Sequence, residues 1–150
     1  ESFGYVSKII ENSKSMLKAT VNKDVKIIEE ILHDIHNSEI PILQYNDENS
    51  LSCVLTLAYL SARDNYRVER EEKTGKGYAD FTFHPRRKND TAFIVELKKD
   101  EKPEIALKQI RSKEYVEKFK RENMGKKILA VAICYDSKEK EHHCLIEEID

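Results

Sequence analysis

Three ionisable residues of this 150-residue chain stand in runs where strands usually carry apolar or β-branched side chains. Asp80 lies in Ala79-Asp80-Phe81-Thr82-Phe83, and Glu96 and Lys98 lie in Phe93-Ile94-Val95-Glu96-Leu97-Lys98. Both runs read as β-strands. Period-two alternation sets Ala79, Phe81 and Phe83 against Tyr78, Asp80 and Thr82. In the next strand it sets Phe93, Val95 and Leu97 against Ile94, Glu96 and Lys98. Two carboxylates on neighbouring strands in a half-buried place repel each other and resist ionisation unless a cation compensates them. A hard divalent cation does this, and ligation by oxygen alone favours Mg²⁺ or Mn²⁺ over zinc. Lys98, on the face of Glu96, is in reach of the same spot. A solvated strand face, with Lys98 paired to Glu96 or Asp80, fits the same residues, because E-x-K recurs by chance in many strands.

Two further polar residues interrupt apolar helical stripes. Glu48 falls three residues before Leu51 and seven before Leu55, and Gln109 falls three after Ala106 and seven before Val116. Glu48 also suits a helix N-terminus simply as favourable charge, and Gln109 suits a buried amide bonded to backbone. The elements that must position these groups follow from periodicity. Helices are expected over 5–19 and 24–36, the second marked by Val25, Ile28, Leu32 and Ile35 with Asn22 as its cap. Pro41 breaks the pattern, and a boundary is expected near residue 45, dividing a helical extension (1–45) from the main domain (46–150). A helix over 47–64, capped by Asn46 or Asp47, carries Leu51, Val54, Leu55, Ala58 and Ala62. Strands then span 66–72, 78–84 and 92–98, joined by turns at 74–77 and 85–90. One helix is expected from Pro103 to about Glu122, a strand buried on both faces over 127–135, and an edge strand over 142–149. Helix, three strands, helix, two strands is the order of an antiparallel meander followed by a crossover into a mixed sheet.

G-Y-A-D at 77–80, I-V-E-L-K at 94–98 and A-L-K-Q-I at 106–110 together resemble the PD-(D/E)XK nuclease superfamily, in particular the domains at the C-terminus of bacterial AAA-ATPase-like proteins. The likeness covers about residues 46–136, with Ala79 standing where the superfamily name has proline. It implies an α/β, restriction-endonuclease-like α-β-β-β-α-β core with a mixed sheet. It also implies a metal-dependent phosphodiesterase acting on nucleic acid, DNA before RNA. Asp80 and Glu96 would bind Mg²⁺ or Mn²⁺ with the Leu97 carbonyl, and Glu48 would add a third carboxylate. Lys98 would position or deprotonate the attacking water and steady the developing charge. Gln109 would support the site, and Lys98, Lys108, Gln109, Arg111 and Tyr115 would touch the nucleic acid. An upstream ATPase domain is the partner that the likeness suggests. A catalytically silent interaction or regulatory module of such a protein is the competing reading, and metal-independent nucleic-acid binding is a third.

Composition sets the outer limits. Charged residues make up 36% and hydrophobic ones 39%, and 26 basic against 28 acidic residues leave a net charge of -2. That balance excludes a uniformly basic coating protein and an acidic disordered tail. Positive charge is nevertheless concentrated: residues 98–127 hold eleven Lys/Arg and six Asp/Glu, for 11 - 6 = +5, and the 85–90 turn adds Arg86, Arg87 and Lys88. Such a surface suits phosphates, and it equally suits an exposed helix with pairs such as Glu114–Lys118 and Glu117–Arg121. Cys53, Cys134 and Cys144 lack C-x-x-C spacing and are expected to be buried free thiols in a reducing cytoplasm. His33, His36, His142 and His143 are expected at the surface, without ligand company. No apolar run is long enough to span a bilayer. The chain opens on Glu1 rather than Met, as expected of a piece of a longer protein.

Overall fold

In the computed structural model, which describes residues 2–39, 48–72 and 79–150, the chain begins with helices α1 (Ser2–Val21) and α2 (Val25–Glu39). Their joint is tight because Lys23 adopts a left-handed conformation (φ 57°). The Asp24 N–H then reaches back to the Ala19 carbonyl and the Lys23 N–H to that of Thr20, the paired bonds of a Schellman ending. The cap of α2 is Asp24, whose carboxylate accepts the Ile27 N–H at 3.4 Å. It is not Asn22, whose own N–H still closes the last turn of α1 on Lys18. Pro41, the boundary near 45, the caps Asn46 and Asp47, the 74–77 turn and Tyr78 lie outside the described residues.

The helix expected over 47–64 divides. Its first part is α3 (Glu48–Ala58), and a 3-10 turn (Leu60–Asp64) follows. The change comes at buried Tyr59, whose ring lies 4.9 Å from that of Phe83 and whose hydroxyl is 2.8 Å from Thr20 Oγ1. The Ser61 N–H donates to Ser13 Oγ on α1. Anchors from other elements thus tighten the coil where the apolar period alone continues it.

The strands β1 (Tyr66–Glu72), β2 (Ala79–Pro85), β3 (Ala92–Lys99), β4 (Ile128–Asp136) and β5 (Glu141–Ile149) form one sheet in sequence order. All neighbours are antiparallel except β3 and β4, which run parallel. A parallel neighbour requires a crossover, and α4 (Pro103–Arg111) and α5 (Glu114–Glu122) supply it. The expected mixed α/β architecture, consistent with a restriction-endonuclease-like core, is therefore present, with β5 on an edge. The crossover, however, is two helices rather than one. The Ser112 hydroxyl and N–H both bond the Gln109 carbonyl, at 2.8 and 3.1 Å, and Lys113 turns to extended backbone. A serine side chain that competes for a backbone carbonyl disfavours helix continuation, and Glu114 and Glu117 then place acid in the first turn of a new helix.

Strand alternation builds a separate apolar layer on each face. Phe81, Phe83, Phe93, Val95, Leu97, Leu129, Val131 and Ile133 pack with Met16, Ile28, Leu32, Val54 and Leu55 of α1–α3. Phe83 and Phe93, opposed in register, stack at 4.3 Å. On the other face Ile94, Ala130, Ala132 and Cys134 pack with Ala106, Leu107, Ile110, Val116 and Phe119 of α4 and α5. The N-terminal helices therefore share a core with the strands.

Cysteine and histidine burial departs from expectation at three places. Cys134 and Cys144 are buried, but Cys53 is exposed, because it stands on α3 between inward-facing Ser52 and Val54. His36 and His142 are buried rather than on the surface. Their rings lie 5.5 Å apart and within 5.1 and 4.9 Å of the Tyr135 ring, an aromatic cluster joining α2 to β4 and β5. Glu29 reinforces the same seam by accepting the Cys144 N–H at 2.9 Å. Burial, helped by His33 and Lys140, lowers His36 to about 4. Burial, helped by His36, His33 and His143, lowers His142 to about 3.

Both imidazoles are therefore neutral in the folded chain and regain a pKa near 6.5 on unfolding. Below that pH the unfolded state binds more protons. Their stabilising contribution is complete above pH 6.5 and is lost as pH falls toward the folded values, by about 1.4 kcal/mol per pH unit for each imidazole. Urea unfolding at a series of pH values between about 7 and 5 reads this slope. His142→Phe, which keeps a ring in the slot, is expected to flatten it, and an unchanged slope would clear the cluster of responsibility.

Candidate active site

The β2–β3 register decides the first step. Asp80 and Glu96 are direct partners across the antiparallel ladder, and directly opposed positions share a face of the sheet. That face is the one covered by α4 and α5, since Ile94, two residues back on β3, and Ala132, the register partner of Glu96 on neighbouring β4, belong to the layer packed on those helices. The Glu96 side chain is wholly buried there. A carboxylate in such surroundings is costly unless charge or hydrogen bonds compensate it.

Two ammonium groups do so. Lys98 follows on the same face of β3, with Nζ 3.7 Å from Glu96 Oε1. Lys113 arrives from the break between α4 and α5, with Nζ 3.5 Å from the same oxygen. Both lysines keep part of the side chain in contact with solvent, 16% and 25% respectively, so the cluster opens outward through its cations. Cys134 is the register partner of Lys98 on β4. Burial first, then the charges of Glu101 and Glu96, push its thiol up to about 12, which leaves it neutral beside the cluster.

The other expected site residues lie as follows. Glu48 is the first residue of α3. One turn later, Ser52 accepts a hydrogen bond from Arg70 at 3.3 Å, and Arg70 pairs in register with Phe81. The start of α3 thus approaches the end of the sheet that carries Asp80, but from the opposite layer, to which Val54 and Leu55 belong. The side chains of Glu48 and Asp80 lie outside the described residues. Gln109 is half-buried on α4, Tyr115 is half-buried against the α4–α5 layer, and Lys108 is exposed. Arg111 is exposed and bonds Glu147 of β5 at 2.6 Å. That pair and Lys127–Glu148 at 3.7 Å bring acids of β5 against the local positive surplus.

Lys113 is the residue that sequence reasoning missed. An unbroken helix over 103–122 leaves it an ordinary surface lysine. The signal lay in Ser112, whose side chain and N–H end α4 and swing the following residue over the sheet.

In donor type the residues fit a hard divalent cation: Glu96 is a buried carboxylate that needs positive charge, and a second carboxylate residue stands directly opposite in the ladder. Among the described residues no group of three or more His, Cys, Asp or Glu is placed to share one ion, and no described helix is long and apolar enough to cross a membrane. A family model described as the PD-(D/E)XK nuclease superfamily matches residues 46–143, more than half of the chain. No curated protein matches it.

The ion-pair geometry is open to a mutant cycle. Lys98→Met is expected to destabilise the fold by about 1–3 kcal/mol by uncovering the buried carboxylate. Adding Glu96→Gln should restore part of that loss, because the charge that Lys98 offsets has gone. Strictly additive unfolding energies would mean that the two groups do not interact.

Proposed function

Because the chain belongs to the PD-(D/E)XK nuclease superfamily, we propose that it is a metal-dependent phosphodiesterase that hydrolyses nucleic acid, DNA in preference to RNA. The observation that carries this reading is the buried Glu96 carboxylate beside the Lys98 ammonium, with Asp80 opposite in register. Superfamily members generally depend on a divalent metal. Asp80 and Glu96 would hold Mg²⁺ or Mn²⁺, together with the Leu97 carbonyl and with Glu48 as a further carboxylate. When bound, the ion would supply Lewis-acid polarisation of the scissile phosphate.

The remaining roles belong to the chain's own groups. Lys98 Nζ, 3.7 Å from Glu96 Oε1, would orient the attacking water and donate hydrogen bonds to the charge that develops on phosphorus-bound oxygen, a stabilisation that grows in a site shielded from water. Gln109, half-buried on α4, supports the substrate backbone with its amide. Tyr115, Lys108 and Arg111 extend the contact along neighbouring phosphates, which makes affinity fall with salt. Residues 46–150 form the catalytic unit in this reading, and α1 and α2 are an extension that completes its core.

A second reading, a catalytically silent interaction module of a larger protein with an upstream ATPase domain, draws on Val6, Ile10 and Ile27. These are apolar and exposed on α1 and α2. Titration calorimetry separates the two. The nuclease reading expects Mn²⁺ binding that Asp80→Ala abolishes. It also expects Mg²⁺- or Mn²⁺-dependent DNA cleavage that Lys98→Ala lowers at least about 100-fold in a protein still folded by circular dichroism. Wild-type protein that takes up no Mn²⁺ and cuts no DNA under either metal would favour the silent module.

A further inference from the structure

We propose that Lys113 is a second substrate-facing cation of this site, one that weakens metal binding at Glu96 while strengthening the grip on phosphate. The inference rests on the nuclease reading above and extends it to a residue outside the D…E-x-K pattern. Three observations support it. Lys113 Nζ lies 3.5 Å from Glu96 Oε1, the same oxygen that Lys98 approaches at 3.7 Å, so two ammonium groups converge on one acceptor atom. The Lys113 side chain is 25% exposed while that of Glu96 is fully buried, so Lys113 is a member of the cluster that solvent, and an anion arriving from it, can reach.

The third observation is local. Lys113 is the N-cap residue of α5, with extended backbone (φ -76°, ψ 136°) and no side-chain cap bond. Lysine is a poor residue for that position. It has no acceptor for the free N–H groups, and its charge adds to the positive end of the helix. What the position provides is reach across the sheet to Glu96, created by the Ser112 break.

The consequence is a pair of effects of opposite sign. A positive charge beside the ligating oxygen disfavours a doubly charged ion and attracts a phosphodiester. Removing it is expected to tighten divalent binding by about tenfold even with water-like screening, and to weaken DNA. A lysine that only held the fold together would move both affinities the same way when lost.

The experiment measures both in one set of proteins: wild type, Lys113→Met, Lys113→Arg and Glu96→Gln. Mn²⁺ affinity is read by calorimetry. Affinity for a fluorescein-labelled DNA duplex is read by anisotropy in EDTA over a salt series. Lys113→Met should bind Mn²⁺ about tenfold more tightly and DNA more weakly, with a salt slope smaller by about one. Lys113→Arg should behave as wild type, and Lys113→Gln repeats the test if Lys113→Met does not fold. If Glu96→Gln loses Mn²⁺ but the Lys113 variants leave both affinities unchanged, or shift them in the same direction, the Lys113 inference falls and the nuclease reading stands. If wild type and Glu96→Gln take up Mn²⁺ alike, the metal site falls, and the inference falls with it.

Discussion

A carboxylate with no solvent exposure, set beside Ile94, Ala130, Ala132 and Cys134 on one face of the sheet, is the constraint around which this molecule is arranged. Apolar packing alone cannot accommodate it, because an ionised group taken out of water must be met by opposite charge or hydrogen bonds. The fold meets it from two directions, with Lys98 from the same strand and Lys113 from the crossover. Both cations stay partly wet, so the buried charge is linked to the surface through them. That is a costly arrangement for stability and a useful one for chemistry on an anion.

The rest of the topology serves that arrangement. The antiparallel β2–β3 pairing sets Asp80 against Glu96, and the parallel β3–β4 pairing demands a long connection that must lie over the face Glu96 occupies. That connection carries Lys113 to Glu96. The opposite face does different work. Its stacked and tilted aromatic rings, Tyr59, Phe83 and Phe93, join sheet to helices α1–α3 in a dry layer. One face therefore supplies most of the packing and frees the other to carry charge.

Much of this was legible in residue order. Alternation placed Glu96 and Lys98 together on the face away from Phe93, Val95 and Leu97, because the pleat has a fixed period of two. Strand limits came within a residue or two for the same reason. Reading failed where tertiary contacts compete with a local period: at Tyr59, held by Thr20 and Phe83, and at Ser112, where a hydroxyl bond ends a helix whose apolar stripe runs on. It failed also at His36 and His142, polar residues that are buried because each finds the other and Tyr135 across elements far apart in the chain.

By itself the sequence determined the element types, the mixed α/β class and the membership of Glu96 and Lys98 in one charged patch. These follow from periodicity and from short spacings along single strands. Only the folded chain decided that Glu96 is fully buried, that Lys113 reaches it, and that Arg111 is engaged by Glu147. Such facts join residues from separate elements. Their distances depend on register, crossover and a single break between helices, and no local pattern encodes those.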